Sequence, residues 1–95
     1  MRRLEEHRRV DRQLAAVPSE ILRRYEKWQD IAAYSGPAGL KLITGFRDEG
    51  LHGQWRGYRS SRLNLKYRVI YQVFESRQLI RVESVTAHDY RRLNT

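Results

Sequence analysis

Almost perfect alternation of apolar and polar residues over residues 61–73 is the feature that most limits how this chain can fold. Apolar or aromatic residues recur at every second position from Leu63, and all the residues between them except Ile70 are polar, two of them cationic. A period of two is typical of a β-strand with one buried face and one solvent-facing side. The sequence therefore predicts one long strand, Arg62–Phe74, with Leu63, Leu65, Tyr67, Val69, Tyr71 and Val73 on the apolar side and Arg62, Asn64, Lys66 and Arg68 on the other.

Upstream of this strand, the spacing of apolar residues predicts two helices. A short strand is expected over residues 3–7 and a short helix over 8–16. Pro18 suits a first helical position, and a longer helix is predicted from there to about Tyr34. Tyr25 and Trp28 lie on its apolar side, and the dipeptide Gly36-Pro37 is predicted to end it. The two helices are expected to form a hairpin.

Downstream of the helices, the sequence predicts a meander of strands. Residues 36–53 contain five glycines and are predicted as loop. Strands are expected over 55–59 and 78–87 on either side of the alternating segment, with a turn at 75–77. We therefore expect a single α+β domain over residues 1–95, in which the N-terminal helical hairpin packs on a small, mainly antiparallel sheet.

The distribution of charge favours a polyanionic partner for the strand-rich half. Residues 1–50 carry ten Lys and Arg against eight Asp and Glu, a balance of +2, whereas residues 51–95 carry nine against three, a balance of +6. Arginine supplies most of these cations, and its planar guanidinium suits bidentate contacts with phosphate. Nucleic acid is therefore the expected partner rather than a membrane surface, for which a basic amphipathic helix is lacking.

Several kinds of chemistry are disfavoured by what the sequence lacks. It has no cysteine, which removes disulfides, thiol nucleophiles and cysteine metal sites. Its three histidines are scattered without a helical pair, so we expect no metal site and no cofactor. No segment is apolar over the length of a membrane span, and the first residues are too charged for a signal peptide. We therefore expect a cytoplasmic protein.

The cations of the alternating strand are the first candidates for a functional site. Arg62 and Lys66 would lie about 13 Å apart along one strand face, and Lys66 and Arg68 about 7 Å apart. These distances suit successive phosphates of a nucleic-acid backbone. Arg68 is the candidate for stabilising charge on a reacting phosphate, and Arg62 and Lys66 are candidates for RNA binding.

A second group of candidates follows the last predicted strand. His88 suits proton transfer because the ordinary pKa of histidine is near 6.5. Asp89 can orient the imidazole or act as a base itself, and Tyr90 can stack on a base or donate a proton. These three are candidate catalytic residues together with Arg68, while His52, Arg59 and Arg91 are added as candidate RNA-binding residues.

Two short motifs resemble the RelE/ParE superfamily of bacterial toxin–antitoxin toxins. The pattern Arg62-x-Asn64-x-x-Tyr67-Arg68 is similar to HigB-type members, and Thr86-x-His88 resembles the end of YafQ-type members. HigB-type toxins end in an acidic–aromatic–histidine cluster, whereas the order here is His88-Asp89-Tyr90, so the roles of these three stay open. The sharp motifs lie within residues 51–92, and the order of elements agrees over nearly the whole chain. The resemblance implies a RelE-like fold with a curved sheet.

The same resemblance implies a type II toxin that acts as a metal-independent endoribonuclease, an mRNA interferase that cuts mRNA in the ribosomal A site. Attack by the RNA 2′-OH on the adjacent phosphorus would leave a 2′,3′-cyclic phosphate and a free 5′-OH. Expected partners are mRNA, the ribosome with its rRNA, and a cognate antitoxin protein. Two alternatives stay open: a ParE-type toxin of the same fold that inhibits DNA gyrase without nuclease activity, and an inactive basic RNA-binding module.

Overall fold

Two helices cover one face of a five-stranded sheet in the computed structural model, which describes residues 1–87. The helices are α1, Arg9–Ala15, and α2, Ser19–Lys41. The strands are β1, Arg3–Glu6; β2, Glu49–Gly50; β3, Arg59–Arg62; β4, Arg68–Phe74; and β5, Leu79–Thr86. Their order in the sheet is β1-β5-β4-β3-β2, with β1 parallel to β5 and every other pair antiparallel. The predicted α+β architecture is confirmed.

The predicted single strand Arg62–Phe74 is wrong, because the chain reverses within it. The side-chain oxygen of Asn64 accepts hydrogen bonds from the backbone N–H groups of Lys66 and Tyr67, both at 2.7 Å. The N–H of Leu63 donates to the carbonyl of Tyr67 at 2.8 Å and closes the turn. Such local bonds from asparagine compete with strand pairing. The alternating residues therefore lie in two strands and the turn between them. Leu65 lies in that turn and is 90% exposed rather than part of an apolar strand face.

Helix α2 continues beyond the predicted end at Tyr34. Gly36 has φ 62° and breaks the helix there, as its sequence predicts, but Pro37 then begins a further turn that ends at Lys41. A side chain at position 36 would also meet the guanidinium of Arg2 at 2.9 Å. Within residues 1–87, no helix combines the length and the apolar character that a membrane crossing requires.

The predicted loop over residues 36–53 and the strand over 55–59 are also wrong in part. The chain forms 3-10 turns at Thr44–Phe46 and Gly53–Trp55, with the short strand β2 between them. Backbone hydrogen bonds at Gly53–Trp55 close a turn, so strand pairing starts only at Arg59. The turn predicted at 75–77 is present as Glu75–Arg77.

An aromatic cluster joins helix α2 to the sheet. Trp28 is fully buried, stacks on Tyr25 with ring centroids 5.8 Å apart, and meets the ring of Tyr71 edge-on at 5.1 Å. Such pairs add to the free energy gained by burying their area. The core positions expected for Tyr25 and Trp28 are confirmed. This cluster fixes β4, the strand that begins with Arg68.

Two tyrosines in this core make the stability of the fold sensitive to alkaline pH. Burial raises the pKa of Tyr25 and of Tyr71, and hydrogen bonds to the carboxylates of Glu6 and Asp48 act in the same direction. Unfolding returns both hydroxyls to the ordinary tyrosine pKa of about 10. The unfolded state therefore loses protons first, and the stability that these groups contribute is present below about pH 10 and decreases above it.

We expect the free energy of unfolding to fall steeply above about pH 10, and Tyr25→Phe to reduce that slope because one buried hydroxyl is removed. Urea unfolding at a series of pH values measures the slope, and tyrosinate absorbance shows when each hydroxyl ionises. Tyr34→Phe is the control, since that side chain is exposed. Ionisation of Tyr25 in the still-folded protein would contradict the expectation.

Candidate functional site

Arg62 and Arg68 lie directly opposite one another on neighbouring strands. Arg62 ends β3, Arg68 begins β4, and the two residues are partners in the strand register. Like charges in this position destabilise a sheet. Neither arginine forms an ion pair with a carboxylate within residues 1–87. The pair is therefore a position where a bound anion would relieve repulsion.

A third arginine completes a small cavity on this face of the sheet. The cavity has a volume of about 130 Å³ and is lined by Arg47, Glu49, Ser60, Arg62 and Arg68. We call these five residues the arginine cavity. Its volume is roughly that of four waters, enough for one phosphate group. Three guanidinium groups and one carboxylate at one cavity combine anion binding with a proton acceptor.

A buried carboxylate lies on the opposite side of the same strands. The side chain of Asp48 has no exposed surface and accepts four hydrogen bonds. Arg59 donates two of them to Oδ2, at 3.0 and 2.6 Å, while Ser61 and Tyr71 donate one each to Oδ1, at 2.7 and 2.5 Å. Burial is the largest single influence on Arg59 and lowers its pKa, but the hydrogen bonds and charge of Asp48, together with Tyr71, act the other way, so the net pKa of the guanidinium is raised. We call Asp48, Arg59, Ser61 and Tyr71 the Asp48 network.

The structure separates the cations that the sequence places on one strand face. Lys66 lies in the exposed turn, with its ammonium 5.9 Å from the ring centroid of Tyr67, and does not line the arginine cavity. Its predicted spacing from Arg62 and Arg68 is wrong, because the Asn64 turn brings those two arginines opposite each other. Arg59 is held by Asp48 on the helix-facing side of the sheet, and RNA binding by Arg59 stays a prediction.

The remaining candidates are His52 and the residues that follow β5. His52 is exposed and precedes the turn Gly53–Trp55, and its role stays a prediction. His88, Asp89, Tyr90 and Arg91 lie outside the described residues. Thr86 is the last residue of β5 and the register partner of Arg68, so β5 ends beside the cavity.

Sequence reasoning missed Arg47, Glu49 and Ser60. The run Arg47-Asp48-Glu49 was assigned to a glycine-rich loop, and Ser60 has no chemical feature that marks it. Three consecutive charged residues just before the basic strands were the available signal. Within residues 1–87, no group of three or more His, Cys, Asp or Glu side chains is arranged to hold a metal ion.

Comparison with known proteins identifies solved structures that share this fold. No model of a protein family matches the sequence, and no curated protein matches it.

Among solved structures, YafQ from E. coli strain BL21(DE3) has a TM-score of 0.75 at 17% identity, covering 93% of this chain and 94% of that chain. The archaeal RelE–RelB complex from Pyrococcus horikoshii OT3 gives 0.73 at 27% identity, covering 90% and 93%. The chain has the RelE/ParE toxin fold. A YoeB/ParE toxin from Agrobacterium tumefaciens gives 0.71 at 19% identity, covering 94% and 100%. The resemblance found in the motifs is therefore confirmed at the level of the RelE/ParE fold.

The repulsion between Arg62 and Arg68 has a measurable consequence. We expect Arg68→Gln, which keeps most of the side chain but removes its charge, to raise the free energy of unfolding by about 0.2–1 kcal/mol at low salt. Inorganic phosphate at constant ionic strength should stabilise the wild type more than this variant, because a ligand that binds the folded state stabilises it. Chemical unfolding with and without phosphate measures both effects.

Arg77→Ala is the matched control for this experiment. Arg77 lies in the turn between β4 and β5, with its guanidinium 5.8 Å from the ring centroid of Phe74, and does not line the arginine cavity. The substitution Arg77→Ala removes one positive charge from the protein without changing a residue that lines the cavity. Equal phosphate stabilisation of Arg68→Gln and the wild type would show that the cavity does not bind the anion.

Proposed function

We propose that this protein is a type II toxin and a metal-independent endoribonuclease that cleaves mRNA on the ribosome. One observation carries the proposal: three arginines and one carboxylate line a single cavity in a chain with the RelE/ParE fold. RNA supplies its own nucleophile, so the protein needs only to orient a nucleotide, stabilise charge on the phosphate and move two protons.

The residues of the arginine cavity suit the first half of this reaction. Arg62 and Arg68 hold the two non-bridging phosphate oxygens, and Arg47 adds a third positive charge. Glu49 is the carboxylate of the cavity and accepts the proton of the 2′-OH. The 2′ oxygen then attacks the phosphorus, forming a 2′,3′-cyclic phosphate as the bond to the 5′ oxygen breaks. The arginines stabilise the additional charge that develops on the phosphate oxygens.

The second half requires a proton for the leaving 5′ oxygen, and His88 is the proposed donor. Its position in the sequence supports this role, since it follows Thr86 by two residues and Thr86 is the register partner of Arg68. Two residues of chain span at most about 7 Å. Asp89 is proposed to orient the imidazole, Tyr90 to stack on a base, and Arg91 to contact the RNA backbone together with His52 and Lys66.

An antitoxin is the proposed protein partner. One neighbour in fold is the RelE–RelB complex, in which the matching fold occurs with a second protein. The charge of the arginine cavity favours an acidic segment of that partner, which would compete with RNA for the same guanidinium groups. The cytoplasm, where mRNA and ribosomes are found, is the proposed location.

Induction of the protein in cells tests the proposed function. We expect growth to stop and new mRNA 5′ ends to appear inside translated regions within minutes, each carrying a 5′-OH. Sequencing of RNA 5′ ends, with and without prior phosphorylation of 5′-OH groups, measures this outcome. Intact transcripts accompanied by inhibited DNA gyrase would instead support the ParE-type alternative, and RNA binding without either effect would support the inactive module.

Single-turnover cleavage by purified variants tests the assigned roles. Arg68→Ala should reduce the rate by roughly 10²–10³-fold, the usual loss for one group that stabilises a developing oxyanion. Glu49→Gln and His88→Ala should each cost roughly 10²–10⁴-fold, as expected for a general base and a general acid. Glu49→Gln should remove the acidic limb of the pH–rate profile, and His88→Ala the alkaline limb.

Arg77→Ala is again the control and should affect cleavage little, since its side chain lies outside the cavity. Near-normal turnover of Glu49→Gln would assign the base to another group, with Asp89 next. Similar mild losses for Arg68→Ala and Arg77→Ala would mean that the basic surface only binds RNA.

A further inference from the structure

We propose that Asp48 is a positioning residue that places Arg47 and Glu49 in the arginine cavity. The inference rests on the proposed function only in taking this cavity as the anion site. Asp48 lies between these two cavity residues in the chain, yet its own side chain is buried on the other side of the sheet. It contacts no substrate and acts through its neighbours.

The geometry of an extended chain explains how the anchor works. Successive side chains of an extended segment point to opposite sides. Once the carboxylate of Asp48 is fixed among Arg59, Ser61 and Tyr71, the next residue, Glu49 at the start of β2, is directed to the cavity side. Arg47 has a left-handed backbone and does not follow this alternation, so its side chain reaches the cavity from the turn that precedes Asp48. The pairing of Glu49 with Ser60 in β2 continues this arrangement, but β2 has only two residues and lies at the edge of the sheet. Four side-chain hydrogen bonds to Asp48 therefore hold this segment more firmly than its short strand can.

The backbone of Arg47 also needs such an anchor. Its φ is 44°, in the left-handed region that non-glycine residues rarely adopt, and such a conformation persists where the surroundings enforce it. Phe46, on one side, is fully buried in the core beneath the guanidinium of Arg24 at 4.4 Å. Asp48 fixes the other side. Arg47 is thus held between two buried side chains while its own guanidinium stays at the cavity.

The ion pair within the Asp48 network keeps this anchor electrically neutral. Arg59 approaches Asp48 to 2.6 Å and balances its charge. An unpaired buried carboxylate on the helix-facing side of the sheet would weaken anion binding on the cavity side, because charges interact strongly where water is excluded. The network can therefore position two cavity residues without cancelling the positive charge of the arginine cavity.

The first test follows the guanidinium N–H signals of Arg47, Arg62 and Arg68 by NMR during titration with inorganic phosphate. In the wild type all three should shift together. In Asp48→Asn, which keeps an oxygen for Ser61 and Tyr71 but loses its charge, the response of Arg47 should be lost or greatly reduced while Arg62 and Arg68 still respond. Glu75→Gln is the matched control, since it breaks an ion pair to Arg2 of 3.0 Å outside the cavity.

A double-mutant cycle supplies the decisive comparison. Asp48→Asn and Arg47→Ala should each weaken phosphate binding by about tenfold, a size seen for residues in one network. The double variant should be no weaker than Arg47→Ala alone, because Asp48 acts through Arg47. Multiplicative losses would overturn the positioning role and assign Asp48 to general stability. If Asp48→Asn does not fold, Tyr71→Phe removes one of the four hydrogen bonds and should give the same pattern with a smaller loss.

Failure of this inference and failure of the proposed function give different results. An unchanged Arg47 signal in Asp48→Asn, with phosphate still bound and RNA still cleaved by the wild type, would reject the positioning role alone. Absence of any phosphate response at the three arginines of the wild type would reject both. Phosphate binding with the expected coupling but no RNA cleavage would retain the positioning role and reject the nuclease.

Discussion

Tyr71 is the side chain through which the hydrophobic core supports the polar site. Its ring meets Trp28 edge-on at 5.1 Å in the centre of the core, and its hydroxyl donates to Asp48 at 2.5 Å. One residue of β4 thus joins helix α2, the sheet and the segment that leads into β2. The aromatic packing fixes the hydroxyl, and the hydroxyl contributes to fixing the carboxylate. The positions of Arg47 and Glu49 consequently depend on the packing of this aromatic core.

The arginine cavity costs the fold stability, and the core offsets that cost. Arg62 and Arg68 repel each other across neighbouring strands, and Arg47 adds a third charge with an unfavourable backbone conformation. Sites prepared for a ligand commonly retain such unfavourable arrangements, since the ligand supplies the missing interaction. The buried aromatic cluster and the Asp48 network are the interactions that allow three cations to remain close together in the folded protein.

The spacing of apolar residues along the sequence predicted the fold class and the core. Fold class and core could be predicted in this way because they depend on patterns within short segments of the chain. Tyr25 and Trp28 recur at helical spacing, and Val69 and Tyr71 alternate as strand residues do. The turn at Asn64 was missed because Leu63, Leu65 and Tyr67 continue the same alternation, while the asparagine oxygen bonds the backbone instead. Arg47 and Glu49 were missed for a different reason. Their placement depends on contacts of Asp48 with residues up to 23 positions away, which no local pattern reveals.

The length of the turn between β3 and β4 sets the register in which Arg62 and Arg68 pair. Five residues separate Arg62 from Arg68, and the hydrogen bonds to the side chain of Asn64 fix the conformation of this segment. Side chains alternate sides along a strand, so a slip of one residue in register would send one of the two arginines to the helix-facing side. Loop length is usually the most freely varied property of a hairpin. Here it determines whether two guanidinium groups lie on the same side of the sheet, so the length of this turn is itself part of the proposed anion site.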